Sequence, residues 1–298
     1  MKDEPAGIRP SFPFPVFSVP PEGGAAEEGP SYLPLPRDMS VYHPPPLPDP
    51  ARAACFDRAL AMLGRLGEAL ETALAHPDLA FKGIGIDLGT LDRDGLAFLA
   101  EVLGEGEVSA RVVGDAGDSV VQETVLAGVF RVHGPEGDSW EVGEIPRRIR
   151  EEGEAGWSPA SFHPEAGRLE QSPMARAILG EVLKNAEDPG RQGHVVSLST
   201  LPLPPSEYQA LESVLGDPRV VILSRGYGNC RIHSTVLRNV WWVRHFNSED
   251  RVILDTLESG PVPAAARAAR EDLEDSLLRL SEIRDWLEKD APEEEAGE

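Results

Sequence analysis

The chain has 298 residues, 41% of them hydrophobic, and contains no uninterrupted apolar run long enough to cross a bilayer. Its 51 acidic residues outnumber its 28 lysines and arginines, and a net charge of -23 repels nucleic-acid phosphates and anionic lipid heads. Composition therefore predicts no nucleic-acid or membrane partner. A basic peptide or basic protein surface suits the charge, although solubility alone would also explain it.

The two cysteines, Cys55 and Cys230, are too few for a disulfide framework or for an all-cysteine zinc or iron–sulfur cage. We therefore predict no bound cofactor. The first residues, MKDE, lack a basic region followed by an apolar stretch, so we expect a cytoplasmic protein.

Half of the 28 prolines lie in residues 1–50, and they prevent a regular helix or a central strand there. This segment is predicted to be a proline-rich tail. Its aromatic side chains could dock on its own domain or on a partner, or the tail is disordered. At the other end, residues 288–298 form an acidic tail that we expect to be solvated.

Between the tails the sequence pattern repeats. Residues 91–104 align without gaps on residues 203–216, and Leu103 matches Leu215, which lies 112 residues later. We predict repeat unit 1 at 51–150, a linker at 151–172 and repeat unit 2 at 173–287. The predicted fold class is α/β (α+β): two tandem copies of a helix, strand, helix and antiparallel-meander unit, with a C-terminal covering helix.

The helices of each copy are predicted from the spacing of apolar residues and from residues typical of helix ends. In copy two, Ser172 is predicted to cap the first helix and Pro173 to occupy its first position. For the second helix, Ser206 with Gln209 predicts a capping box and Gly216 a left-handed end. Asp94 and Gly104 are assigned the corresponding roles in copy one.

Strands are predicted at 220–224, 231–237, 240–246 and 252–257, because these runs are rich in β-branched and aromatic residues and are separated by turn residues. An antiparallel meander is the simplest topology. A closing helix should cover the sheet of the second copy with one apolar face. That face contains Leu273, Leu277, Leu280, Ile283 and Leu287.

The copies differ most at the first turn of the meander. Copy one has the acidic sequence VGDAGDS at 113–119, whereas copy two has SRGYGNCR at 224–231. The glycines permit a sharp turn that would expose the tyrosine, and the flanking arginines would favour a thiolate at the cysteine. The predicted partner-binding residues of this turn are Arg225, Gly226, Tyr227, Gly228, Asn229, Cys230 and Arg231.

Several roles remain open for Cys230. It could be a small buried core residue, a thiol that contacts a partner, a metal ligand with His233, or a nucleophile with His233 or His245 as base. Alternation along a strand sends Cys230 and His233 to opposite faces, and no third catalytic group or oxyanion motif is apparent. We therefore assign no catalytic residue and no metal ligand.

Trp241 and Trp242 are adjacent on a predicted strand and so point to opposite faces. We expect one in the core and the other partly exposed beside an arginine, where it could anchor a protein contact. Both are included among the predicted partner-binding residues. The alternative is that the closing helix covers the second tryptophan.

The segments LSRGYGNCRIHST, NVWWVRHFNSED and VILDTLE resemble the C-terminal region of the HupH/HyaF family of nickel–iron hydrogenase expression proteins, most densely over residues 194–257. The resemblance implies a cytoplasmic maturation chaperone without enzymatic activity. Its client would be a nickel–iron uptake hydrogenase subunit precursor, the iron–sulfur small subunit with its basic twin-arginine signal or else the large subunit, together with other maturation proteins. The alternative is a Cys230-dependent enzyme or a metal or iron–sulfur carrier in the same pathway.

Overall fold

The computed structural model describes residues 53–164, 169–187, 193–226 and 229–289. The predicted proline-rich tail, Tyr227, Gly228 and nearly all of the acidic tail lie outside these residues. No helix in the described part is both long and apolar enough to cross a membrane.

The order of a helix, a single strand, a helix and four strands occurs twice along the chain. The helices are α1 (Ala53–Ala75), α2 (Pro77–Lys82), α3 (Arg93–Leu103), α4 (Arg147–Glu154), α5 (Pro173–Glu187), α6 (Pro205–Leu215) and α7 (Arg270–Lys289). The strands are β1 (Ile84–Asp87), β2 (Val108–Val112), β3 (Ser119–Glu123), β4 (Val129–Gly134), β5 (Gly137–Val142), β6 (His194–Ser197), β7 (Val220–Ser224), β8 (Asn229–Ser234), β9 (Val240–Phe246) and β10 (Val252–Ser259). Short 3₁₀ helices occur at Pro159–Ser161, Leu198–Thr200 and Ala264–Ala266.

The strands form one ten-stranded antiparallel sheet in the order β1-β5-β4-β3-β2-β7-β8-β9-β10-β6. Strands β1–β5 make up one half of the sheet and β6–β10 the other, and each half has its own first strand at the outer edge. The halves meet where β2 pairs with β7, with Ala110 opposite Ile222 at the middle of the register. The mixed helix and antiparallel-sheet class agrees with the predicted fold class.

The predicted N-terminal caps of α3 and α6 need correction, whereas α5 begins at Pro173 as predicted. Helix α3 is capped by Asp92, whose carboxylate accepts a hydrogen bond from Gly95 N at 2.8 Å, rather than by Asp94. Helix α6 begins at Pro205 without a side-chain cap, because proline is pre-organised for the first helical turn, so the predicted capping box is wrong. The predicted glycine end is confirmed, since Gly216 follows α6 with a φ of 69°.

The first turn of α5 receives its cap from another helix. The Glu207 carboxylate of α6 accepts hydrogen bonds from Met174 N at 2.7 Å and Ala175 N at 3.0 Å. This satisfies backbone donors that the start of a helix leaves free, and it joins α5 to α6.

Buried apolar residues form three clusters. One lies between α1, α3, α7 and the first half of the sheet, and a second lies between α5, α6 and the second half. The third covers the opposite face of the sheet across both halves and includes Ile149 of α4. The central strands β2, β3, β7 and β8 therefore bury one face in this third cluster, whereas residues on their other face, including Val120 and Arg231, are exposed.

Helix α7 does not cover the second half of the sheet as predicted; it packs on α1. Leu280 is buried in the cluster of the first half, and Ser276 Oγ donates to Ala127 O at 2.8 Å. Arg270 Nη1 donates to Leu74 O at 2.7 Å, which places the start of α7 beside the end of α1. The apolar stripe showed that the helix would be buried on one side, but it does not specify the surface on which the helix packs.

The predicted linker contains ordered structure. Helix α4 crosses the predicted boundary at residue 150, and Trp157 forms a parallel bridge with Leu237. The connection between the halves is therefore held against the second half by backbone hydrogen bonds.

Candidate functional site

The predicted turn connects β7 to β8. Arg225, Gly226 and Asn229 are exposed. Arg225 N donates to Glu107 O at 3.1 Å, which holds the start of the turn against β2. A Cβ atom on Gly226 would lie 2.1 Å from Glu107 Oε2, so a larger residue would displace that side chain. Tyr227 and Gly228, which would form the tip, lie outside the described residues.

Cys230 and Arg231 project from opposite faces of the sheet. Cys230 is 4% exposed, and its Sγ lies 3.9 Å from Nε2 of His245, its neighbour on β9. The exposed Arg231 places its guanidinium carbon 4.7 Å from the ring centroid of Phe246. The prediction that Arg231 stands beside the thiol is wrong, because successive residues of a strand point to opposite sides.

The thiol of Cys230 is held in its protonated form. Burial raises its pKa to about 11, and the nearby negative charge of Glu258 acts in the same direction. The predicted thiolate is therefore wrong. Loss of hydration at this buried position outweighs the electrostatic benefit that neighbouring arginines were expected to provide.

His233 lies on the face opposite Cys230. Burial lowers its pKa, and the positive charges of Arg244 and Arg231 lower it further. Its imidazole is therefore neutral at physiological pH. Among the described residues, no three His, Cys, Asp or Glu side chains are arranged to hold a metal ion.

Both tryptophans of β9 are buried. Trp241 is 1% exposed in the cluster that spans the two halves, and Trp242 is 5% exposed in the cluster beneath α5 and α6. The expectation that one of them is partly exposed is wrong, because helices or loops cover both faces of β9. Neither indole can contact a partner unless the core around it opens.

A buried polar network surrounds Asp255 on β10. Tyr208 Oη and Trp242 Nε1 both donate hydrogen bonds to its carboxylate. Arg244 Nε lies 3.6 Å from the same carboxylate, while Arg244 Nη2 lies 2.9 Å from Glu212 Oε1. Burial and the charge of Asp255 raise the pKa of Tyr208 well above its usual range, so the phenol remains a donor.

Sequence reasoning missed this network. Its signal was the aspartate in the middle of the strand sequence VILDTLE, since a buried carboxylate needs donors to compensate for its desolvation. Trp242 is therefore fixed by a hydrogen bond inside the fold. This network links α6 to β9 and β10 at the outer edge of the second half of the sheet.

The first half has simpler chemistry at the matching positions. Ser119 and Gly134 occupy the places that correspond to Cys230 and His245, in the same pairing of consecutive strands. A Cβ on Gly134 would lie 2.5 Å from Ser119 Oγ, which shows how closely these positions approach. The Cys230–His245 pair therefore has no counterpart at these two positions of the first half.

Comparison with known proteins identifies the chain. The family model described as HupH hydrogenase expression protein, C-terminal conserved region, matches residues 173–287, which contain the turn and the Asp255 network. Hydrogenase expression/formation protein HoxQ of Cupriavidus necator is 41% identical over 93% of this chain and 98% of its own. Hydrogenase expression/formation protein HupH of Rhodobacter capsulatus is 36% identical over 90% of this chain and 97% of its own.

Hydrogenase-1 operon protein HyaF of Escherichia coli (strain K12) is 31% identical over 88% of this chain and 93% of its own. The chain belongs to the HupH/HyaF family of hydrogenase expression/formation proteins.

Proposed function

We propose that this protein is a non-catalytic maturation chaperone. It binds the precursor of a nickel–iron uptake hydrogenase subunit, the iron–sulfur small subunit, in the cytoplasm before assembly and export. The observation that carries the proposal is the match, over 93% of the chain, to a relative named a hydrogenase expression/formation protein. The net charge of -23 adds support, because a basic precursor segment would be attracted to it.

The proposed client surface is the exposed end of the β7–β8 hairpin. Arg225 and Asn229 are exposed there, and Tyr227 lies between them in sequence. Arg231, stacked on Phe246, extends this surface along β8. Trp241 and Trp242 support the hairpin from within the core, and Cys230 fills a buried position beneath it.

The state of Cys230 supports a role without catalysis. A buried thiol with a pKa of about 11 contributes little thiolate at physiological pH, and the thiolate is the form that attacks substrates or binds metals. This weighs against a Cys230-dependent enzyme or metal carrier.

We also infer that the two halves descend from one duplicated unit. The equivalent strand order on either side of the β2–β7 junction supports this inference. The first half then serves mainly as a scaffold, and the second half carries the client surface.

Capture of the precursor tests the proposed function. The tagged full chain, expressed in cells that produce an uptake hydrogenase, should co-purify the small-subunit precursor. Arg225→Ala and Asn229→Ala should each reduce capture about fivefold or more, because both side chains lie in the proposed interface. Arg251→Ala is the matched control, because this arginine is exposed on a neighbouring turn. Failure to capture any precursor would refute the function, and equal capture by all variants would refute the surface.

A further inference from the structure

Trp157 is the one tryptophan in the described part of the chain that solvent reaches over most of its surface, at 65% exposure. Its backbone is nevertheless fixed. Trp157 N donates to Val236 O at 2.6 Å, and Arg238 N donates to Trp157 O at 3.1 Å. Gly156 approaches so closely that an added Cβ would lie 2.6 Å from Arg238 N. A large exposed ring on a fixed backbone is characteristic of an interface anchor, since little entropy is lost when it binds.

Trp157 lines two open clefts. The first has a volume of about 410 Å³ and is partly apolar, with Phe162, Val214 and Val236 among its lining residues. The second has a volume of about 420 Å³, and its lining includes Glu152 and Asp217. A partner segment that crosses the ring would therefore meet an apolar cleft on one side and carboxylates on the other.

Two helices end beside these clefts, and both ends are electrostatically negative. The last residues of α4 include Glu151, Glu152 and Glu154, and its last turn has no basic residue. Helix α6 also lacks a basic residue in its last turn and is followed by Asp217. A helix C-terminus carries a partial negative charge, so acidic residues there strengthen the negative potential instead of offsetting it.

Some of this charge is neutralised within the protein. Arg219 bonds Glu152 at 3.0 Å and Asp115 at 2.8 Å, and Arg147 lies 3.9 Å from Glu151. By contrast, Asp217 and Glu154 form no ion pair with any residue that the structure describes. Asp217, which lines the second cleft, and Glu154 are therefore the carboxylates that an external cation meets beside the ring, where the exposed Arg238 adds a positive charge.

We propose that Trp157 and the acidic ends of α4 and α6 form a docking site for an arginine or lysine in a basic, partly apolar segment of a partner protein. The cation lies over the indole face and pairs with Asp217, and an adjoining apolar residue enters the cleft beside Phe162. This site and the β7–β8 hairpin lie at opposite ends of β7, because Arg219 precedes that strand and Arg225 follows it. Its assignment to the hydrogenase precursor rests on the proposed function.

Peptide binding to the purified full chain tests the site directly. The probe is a synthetic peptide with two adjacent arginines among leucines and serines, and its control replaces the arginines by glutamates. We expect calorimetry to show binding of the arginine peptide, at least about tenfold weaker binding of the glutamate peptide, and weaker binding at higher salt. No difference between the peptides would overturn the proposal.

Variants locate the binding on the surface. Trp157→Ala should weaken binding of the arginine peptide about tenfold, and Asp217→Asn about threefold, whereas Trp157→Phe should retain part of the affinity. Leu278→Ala and Glu249→Gln are matched controls at other exposed positions and should bind like the parent. Unfolding in urea checks that every variant is folded. Parent-like binding by Trp157→Ala would contradict the proposal.

A precursor-capture assay separates this site from the proposed function. If the parent and Trp157→Ala capture equal amounts of small-subunit precursor, Trp157 does not dock the client, although the proposed function stands. If the parent captures no precursor but binds the arginine peptide through Trp157, the docking site stands and the function fails. A dimer that is abolished by Trp157→Ala would show that the ring binds a second copy instead, which overturns the assignment.

Discussion

Cys230 is enclosed between the neighbouring strands β7 and β9. Ser224 and His245 pair with it across the sheet, and Ile232 continues the same buried face along β8. Its environment is that of a small core residue with a polar neighbour, so its chemistry is governed by restricted access to water.

The first prediction concerns the reactivity of this thiol. In a Cys55→Ala background, we expect iodoacetamide at pH 8 to modify folded Cys230 much more slowly than the urea-unfolded chain. Ionisation of the folded thiol should be half complete near pH 11, where its pKa lies. Mass spectrometry of quenched samples measures both rates. Equal rates in the folded and unfolded chains would show that the thiol is accessible.

The same shift has a consequence for stability. The thiol ionises in the unfolded chain near its ordinary pKa of 9.0 but in the folded chain near about 11. The contribution of Cys230 is therefore fully present below the lower value and is lost as pH rises through the folded value.

The sequence alone identified the residues of the β7–β8 turn. It did not show which of their side chains are buried or which face of the sheet each side chain points to. The comparison of the two copies showed that the turn of the second copy has a cysteine where the turn of the first copy has none. Adjacent letters suggested that Arg231 would act on Cys230, whereas strand geometry separates their side chains. Burial of Trp241 and Trp242 depended on covering segments distant in sequence, which local periodicity does not identify.

Among the elements, the strands were predicted most accurately. The predicted strands at 220–224 and 240–246 coincide with β7 and β9, because β-branched and aromatic runs end there at turn residues. β8 begins two residues earlier and ends three residues earlier than predicted, since Asn229 already pairs with Phe246. Helix α4 was not predicted. It packs against the buried Trp241 through Gly153.

The second prediction tests that contact. A Cβ on Gly153 of α4 would lie 2.3 Å from Cζ2 of Trp241. Gly153→Ala should therefore lower the free energy of unfolding by about 1–3 kcal/mol, because the buried indole has little room to move. Urea unfolding measures the loss.

Gly180→Ala is the matched control for this substitution. Gly180 lies within α5, and nothing approaches its Cβ position within 4 Å. Alanine should stabilise this helix by up to about 1 kcal/mol through its higher helix propensity. Destabilisation of similar size in both variants would show that the Trp241 contact is not the cause.

On the scale of the whole molecule, long-range pairing determines the architecture. The β2–β7 junction joins residues more than a hundred positions apart, and α7 returns from the end of the second half to pack on α1. Repetition in the sequence indicated two similar units, but it gave no information on how their sheets would join.

The third prediction tests the return of α7. Leu280→Ala should lower the free energy of unfolding by about 2–5 kcal/mol, because Leu280 is buried against α1. Leu278→Ala, at a position 67% exposed on the same helix, should change it by no more than about 0.5 kcal/mol. Hydrogen exchange in Leu280→Ala should increase first in α1. An increase confined to α5 and α6 would contradict the packing of α7.

The return of α7 also affects the order in which the protein can fold during translation. Domains generally fold in the order of their synthesis, starting from the N-terminus. Here one side of α1 stays uncovered until the segment from Arg270 onwards has left the ribosome, because α7 supplies the partner side chains on that side, whereas α3 and the first half of the sheet are made earlier. The hydrophobic cluster around α1 is therefore completed only at the end of synthesis, although α1 is the first helix to be made.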